Sequence, residues 1–209
     1  MLSAIKELEK REDVLYAGPD YKISLGNCES NSVEHAKQED VIDKAIIKPG
    51  FIIKPETRPN DEFRNMQWAI NKIQLPKAWN YTTGASSVVV GVLDTGVDYT
   101  HPDLDDKIVT SLCYDFVKNT SAMINPSFIH SHGTVVSGII AAESNNGIGI
   151  AGTCWNAKIA SLRIFDASGN GYSSDAEKAI QFADEMNIPI LNLSGRWYNN
   201  SDHYDVALD

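Results

Sequence analysis

Residues 88–104, VVVGVLDTGVDYTHPDL, set the tightest limit on what this chain can fold into. Five of the six positions in 88–93 are large aliphatics, and four of those five are valine. The run is too short for a helix and lacks two-residue alternation, so it suits a strand buried on both faces. Strands of that kind belong in parallel sheets covered by helices. The run stops at Asp94, and Thr95-Gly96 turns the chain just beyond it. Open α/β sheets place their ligands at the carboxyl ends of such strands, which makes Asp94 a site candidate. A plain strand-ending turn is the alternative, since Asp and Gly are common turn residues.

The same reading gives a second strand in residues 107–116, a third in 158–165 and a fourth in 188–194, with a helix over about 174–186. Residues 132–142, HGTVVSGIIAA, predict a buried helix that opens on His132. Val135, Val136, Ile139 and Ile140 supply its apolar face, and Gly133 and Gly138 allow close approach to neighbours. The Gly-rich stretch 145–152 lacks the Lys-Ser or Lys-Thr of a phosphate-binding loop, which argues against nucleotide binding.

With 209 residues and 43% hydrophobic composition, the chain can bury one substantial core, and no apolar run approaches a membrane span. A formal charge of -10 without a basic patch argues against nucleic acid as a partner. Cys28, Cys113 and Cys154 show no CxxC spacing; small buried thiols fit them, with one disulfide as the alternative. Residues 1–10 space Leu2, Ile5 and Leu8 as an amphipathic helix would and lack the apolar stretch of a signal peptide. A weakly alternating segment, 13–21, follows and ends at a Gly-Pro turn, and polar, Pro-containing residues 26–59 read as linker or insertion with a helix-capable 33–45. The main domain is expected to start near Asn60.

Three segments together carry a resemblance: Asp94-Thr95-Gly96-Val97-Asp98, Ser131-His132-Gly133-Thr134, and Asn192-Leu193-Ser194-Gly195. In that order they resemble the subtilisin-like serine proteases. The resemblance implies an α/β fold, a subtilisin-like parallel sheet with flanking helices, incomplete at its C-terminal side and preceded by a partial propeptide-like helix-strand segment. The expected division is 1–25 for that segment, 26–59 for the linker and 60–209 for the N-terminal part of the peptidase domain. The four strands are expected in the order second, third, first, fourth.

By the same resemblance the function is peptide-bond hydrolysis by a serine-type endopeptidase, with peptide or protein substrates. Asp94 orients the imidazole and His132 is the general base. Gly169, Ser194 and Gly195 flank an extended substrate by strand addition. A calcium ion is implied on Asp103, Asn146 and the carbonyls of Ile148 and Ile150, with a further ligand between Asp61 and Gln67; a glycine turn without an ion is the alternative. Two departures stand out: Val135 replaces a second His found in many relatives, and Gly195-Arg196-Trp197 stands where Leu-Gly-Gly is usual. No Gly-Thr-Ser occurs in the 209 residues, so the triad is expected to be incomplete and the chain alone inactive. The other readings are a non-catalytic fragment that binds a protease or peptide, and a zinc site on His101, His130 and His132. An extracellular origin follows from the resemblance alone.

Overall fold

The computed structural model describes residues 22–25, 56–122 and 130–197. The expected helix in 1–10, the weak strand in 13–21 and the helix-capable 33–45 lie outside the described residues. In chain order the elements are strand β1 (Lys22–Ser24), short helices α1 (Trp68–Lys72) and α2 (Leu75–Ala78), strands β2 (Val89–Asp94) and β3 (Tyr114–Asp115), and helix α3 (His132–Ala141). Strands β4 (Lys158–Arg163) and β5 (Asn170–Tyr172), helix α4 (Ser173–Glu185), and strands β6 (Ile190–Leu193) and β7 (Arg196–Trp197) follow.

The main sheet is parallel, in the order β3-β4-β2-β6, which is the expected second, third, first, fourth. β2 lies inside it, with Asp94 beside Arg163 of β4 and Leu93 beside Leu193 of β6. Alternation along β2 feeds two cores. Leu93 joins Leu162, Ile164 and the Ala176, Ala179 and Ala183 stripe of α4, whereas Val90 and Val92 join Ile159 and Ala141 of α3. One face is therefore sealed by α4 and the other by α3, as a strand apolar on both sides requires.

Two expectations are corrected by local physics. The second strand does not run through 107–116. Ile108 bridges Ile159, but Leu112 then donates to the Val109 carbonyl, closing a 3-10 turn at Thr110–Leu112, so the ladder resumes only at Tyr114. The expected apolar face of α3 is split: Val136 and Ile140 are partly buried against the core, but Val135 and Ile139 are not. Val135 and Ile139 are 57% and 55% exposed, and the buried residues are Gly133, Ser137, Gly138 and Ala141. The helix lies so close to the end of β2 that a Cβ on Gly133 would collide with the Gly96 carbonyl oxygen, so small side chains must face the sheet.

Cys113 is buried and Cys154 half-buried, both as free thiols; Cys28 lies outside the described residues. Burial pushes the Cys113 thiol up to about 11, against a smaller opposing effect of the Ser161 N–H. Among the described residues no helix is long and apolar enough to cross a membrane.

Within the described residues β6 pairs with β2 alone, and Ile190 and Leu191 are 49% and 37% exposed. An apolar edge with free backbone groups invites pairing with another chain. The 209-residue chain is therefore expected to scatter light and bind a hydrophobic dye, and Ile190→Lys to reduce both. Equal scattering by the two proteins would exclude this edge as the associating surface.

Candidate active site

Asp94 ends β2 fully buried, and His132 begins α3 with its side chain 30% exposed. His132 Nδ1 lies 2.9 Å from both carboxylate oxygens of Asp94. With Nδ1 so engaged, Nε2 is left facing away and bonds nothing among the described residues. An imidazole held in this way has a fixed tautomer and a free basic nitrogen.

Thr95 ties the two elements together, a role that its place in the Asp-Thr-Gly turn does not reveal. Its N–H donates to Asp94 Oδ1 at 2.7 Å. Its hydroxyl donates to the His130 carbonyl at 2.7 Å and accepts the Gly133 N–H at 3.0 Å, fixing the first turn of α3 to the end of β2. His130 Nδ1 accepts the His132 N–H, satisfying one of the orphan donors of the helix. From the other side, Arg163 Nε donates to the Thr95 carbonyl while Nη1 binds both oxygens of Asp115 at 2.9 Å. This ion pair is buried, 5% exposed on each side chain, and its two short hydrogen bonds offset much of the desolvation cost.

Of the three expected substrate-flanking residues, Gly169 bonds the residue after β1, and Ser194 and Gly195 precede the strand that pairs with β1. Residues 22–24 form the centre of an antiparallel sheet between β5 and β7. Gly169 accepts the Leu25 N–H at 2.9 Å just ahead of β5, and Ser194 and Gly195 lead directly into β7. Ser194 Oγ is held by Asn192 Nδ2 at 3.0 Å. Ile23 is fully buried in the core beside Phe165, so β1 is held between β5 and β7 by backbone pairing and one deep side chain.

The expected calcium ligands converge on one loop. Asp103 is buried; its Oδ1 accepts from Asn146 Nδ2 and its Oδ2 from the Ile150 N–H, each at 3.0 Å. A Cβ on Gly149 would collide with Asp103 Oδ2, and φ there is +53°, so the loop needs glycine to wrap the carboxylate. Asp61 fills the place left open in the sequence: Oδ1 accepts the Asn146 N–H at 3.2 Å, and Oδ2 is buried without a partner among the described residues. The carbonyls of Ile148 and Ile150 likewise accept nothing among those residues. Asn146 Oδ1 accepts the Ile148 N–H at 2.9 Å, so the oxygens left over are one buried carboxylate oxygen and two carbonyls, of the kind a hard cation takes.

The histidine zinc site does not assemble. His101 Nδ1 accepts the Asp103 N–H and His130 Nδ1 the His132 N–H. The metal-capable cluster of acidic, Cys or His groups among the described residues is instead Asp105, Asp106 and Glu143, two of them exposed.

Residues 85–203 match the family profile described as the subtilase family. The chain is 37% identical over 173 residues to a thermophilic serine proteinase of Bacillus sp. (strain AK1), covering 82% of this chain and 41% of that protein. It is 39% identical over 137 residues to thermitase of Thermoactinomyces vulgaris, covering 65% and 47%. The crystal structure of fervidolysin from Fervidobacterium pennivorans, a keratinolytic enzyme related to subtilisin, superposes with a TM-score of 0.56 at 30% identity, over 68% of this chain and 22% of that one. The chain thus spans less than half the length of these relatives.

Thr95→Val keeps the volume of this fully buried side chain but orphans the Gly133 N–H and the His130 carbonyl. Leaving such groups unpaired costs about 1–3 kcal/mol each, so the denaturant midpoint should fall markedly, while Thr95→Ser retains most of the stability. Equal midpoints for the two variants would mean the hydroxyl does not hold the helix to the strand.

Proposed function

The chain belongs to the subtilase family, and on that basis we propose that Asp94 and His132 are the acid and base of a serine-type peptidase site acting on peptide or protein chains. The observation that carries this reading is the buried Asp94 carboxylate on His132 Nδ1, with Nε2 free. Asp94 accepts a hydrogen bond from Nδ1–H, which holds the tautomer and stabilises the imidazolium that forms; Nε2 takes a proton from the attacking hydroxyl and returns it to the leaving amine. Support for a peptide as substrate comes from β1, which lies between Gly169 and β7 as an added strand would. In the same reading, residues 22–25 are the end of a propeptide-like segment seated in the groove.

In this reading the nucleophile lies outside the described serines. Ser137 is fully buried, Ser194 Oγ is held by Asn192, and no described side chain bonds His132 Nε2. The 209-residue chain is therefore expected to hydrolyse a chromogenic peptide anilide no faster than blank and to remain uncut between Gly26 and Asn60. Hydrolysis abolished by His132→Ala would instead place the nucleophile within these residues. If the reading frame past codon 209 encodes Gly-Thr-Ser, the longer chain should cleave peptides, and Asp94→Asn should lower its kcat by about 10⁴-fold. An active longer chain indifferent to Asp94→Asn would overturn the assignment. Action outside the cell is part of this reading and rests on family resemblance.

We also propose that Asp61, Asp103, Asn146 and the carbonyls of Ile148 and Ile150 hold a calcium ion. Such an ion supplies no chemistry to the reaction; it neutralises two buried carboxylates and pins the 145–152 loop against residues 60–67. Calcium at about 100 times its Kd should stabilise the chain by about 2.7 kcal/mol. Asp61→Asn should remove most of that gain, read as the calcium-dependent shift in Tm. A shift that survives Asp61→Asn would move the ion elsewhere, with Asp105, Asp106 and Glu143 the next group to test.

A further inference from the structure

The register of β1 against β7 carries a statement about which peptides the groove prefers. Ile23 lies opposite Trp197, and Ser24 lies opposite Arg196 on one side and Asn170 on the other. Directly paired residues of antiparallel strands project from the same face. Because Ile23 is turned fully into the core, Ser24 and its two partners project from the opposite, outer face. Arg196 is exposed there and makes no hydrogen bond or ion pair among the described residues. It stands beside the bound strand as a cation facing a neutral side chain.

We propose that Arg196 makes the groove selective for extended peptides that carry an acidic residue immediately after the aliphatic residue seated where Ile23 lies. The proposal rests on the reading of β1 as occupant of a peptide groove. An acid in the place of Ser24 meets Arg196 as a directly opposed cross-strand ion pair, at a Cβ separation of about 5 Å. The chain's formal charge of -10 does not cancel this attraction, because charges spread over the surface are screened beyond about 8 Å whereas the opposed pair is not. Ser24 offers no charge to the cation, and no other described residue pairs with it, so a peptide bearing an acid has an advantage in displacing the chain's own segment.

Hydrogen exchange of the full chain tests this at the Leu25 amide, which is bonded to the Gly169 carbonyl. Ser24→Glu should slow exchange of that amide about two- to fivefold and Ser24→Lys should speed it. Both effects should vanish in an Arg196→Gln background and shrink in about 1 M salt. In trans, the peptide acetyl-Lys-Ile-Glu-Leu-amide should release the strand at lower concentration than acetyl-Lys-Ile-Lys-Leu-amide. All these substitutions are on the outer face of the strand pair, so the fold is not at stake. A protected Leu25 amide indifferent to charge at Ser24 would overturn the role of Arg196 and leave the groove reading intact. An unprotected Leu25 amide in the unsubstituted chain would overturn both.

Discussion

The structure depends on a buried carboxylate. Asp94 is fully removed from solvent, and a carboxylate there would be too costly to keep without donors. The Thr95 N–H and His132 Nδ1 supply them, and each comes from a different part of the chain's architecture. Thr95 is the turn that ends β2, and His132 is the first residue of α3. The helix can deliver its imidazole only because its sheet-facing side is built from Gly133, Ser137, Gly138 and Ala141. Close packing and polar satisfaction are thus one constraint: a larger side chain at Gly133 would push α3 away and strand the carboxylate. The buried Arg163–Asp115 pair serves the same end from β4 and β3, since the guanidinium fixes the carbonyl of Thr95, the residue whose N–H holds Asp94.

A second sheet stands at the carboxyl ends of the first. β5 follows β4 and β7 follows β6, so the two strands that grip β1 are continuations of the strands that build the core. Phe165, at the end of β4, touches both systems: it packs with Ile23 and lies under Gly195. A bound segment therefore senses the same hydrophobic core that carries Asp94. Covalent attachment gives β1 an effective concentration that can reach the millimolar range, so in the proposed peptide-binding reading a peptide in trans must bind better locally to displace it. Side chains on the outer face of the strand are where such an advantage is available, because the inner position is already filled by a well-buried isoleucine.

Val135 and Ile139 lie on the outer face of α3, and Ile190 and Leu191 on the unpaired side of the sheet. In α3 the apolar pattern and the buried face diverge for a packing reason. Hydrophobic periodicity identifies the helix but not which stripe meets the sheet, and the small-residue stripe wins because it permits closer approach.

The strand order followed from the resemblance to the subtilisin-like proteases; the strand that ends in Asp94, the helix that opens on His132 and the parallel sheet were legible in the amino-acid sequence itself. Those features rest on local runs with strong patterns: an aliphatic block too short for a helix, and motif residues at fixed turns. The family resemblance also grouped Asp103, Asn146 and the 145–152 loop as expected calcium ligands, but it did not choose among residues 61–67 for a further one. Only the folded chain shows that Gln67 is committed to both backbone groups of Ala151 while Asp61 keeps a buried oxygen without a partner among the described residues. The 3-10 break before Tyr114, the link through Thr95, the buried Arg163–Asp115 pair and the pairing of β1 between β5 and β7 were likewise decided in three dimensions. Each depends on contacts between segments tens of residues apart, and the energy of such contacts comes from desolvation and hydrogen-bond competition that no local pattern records.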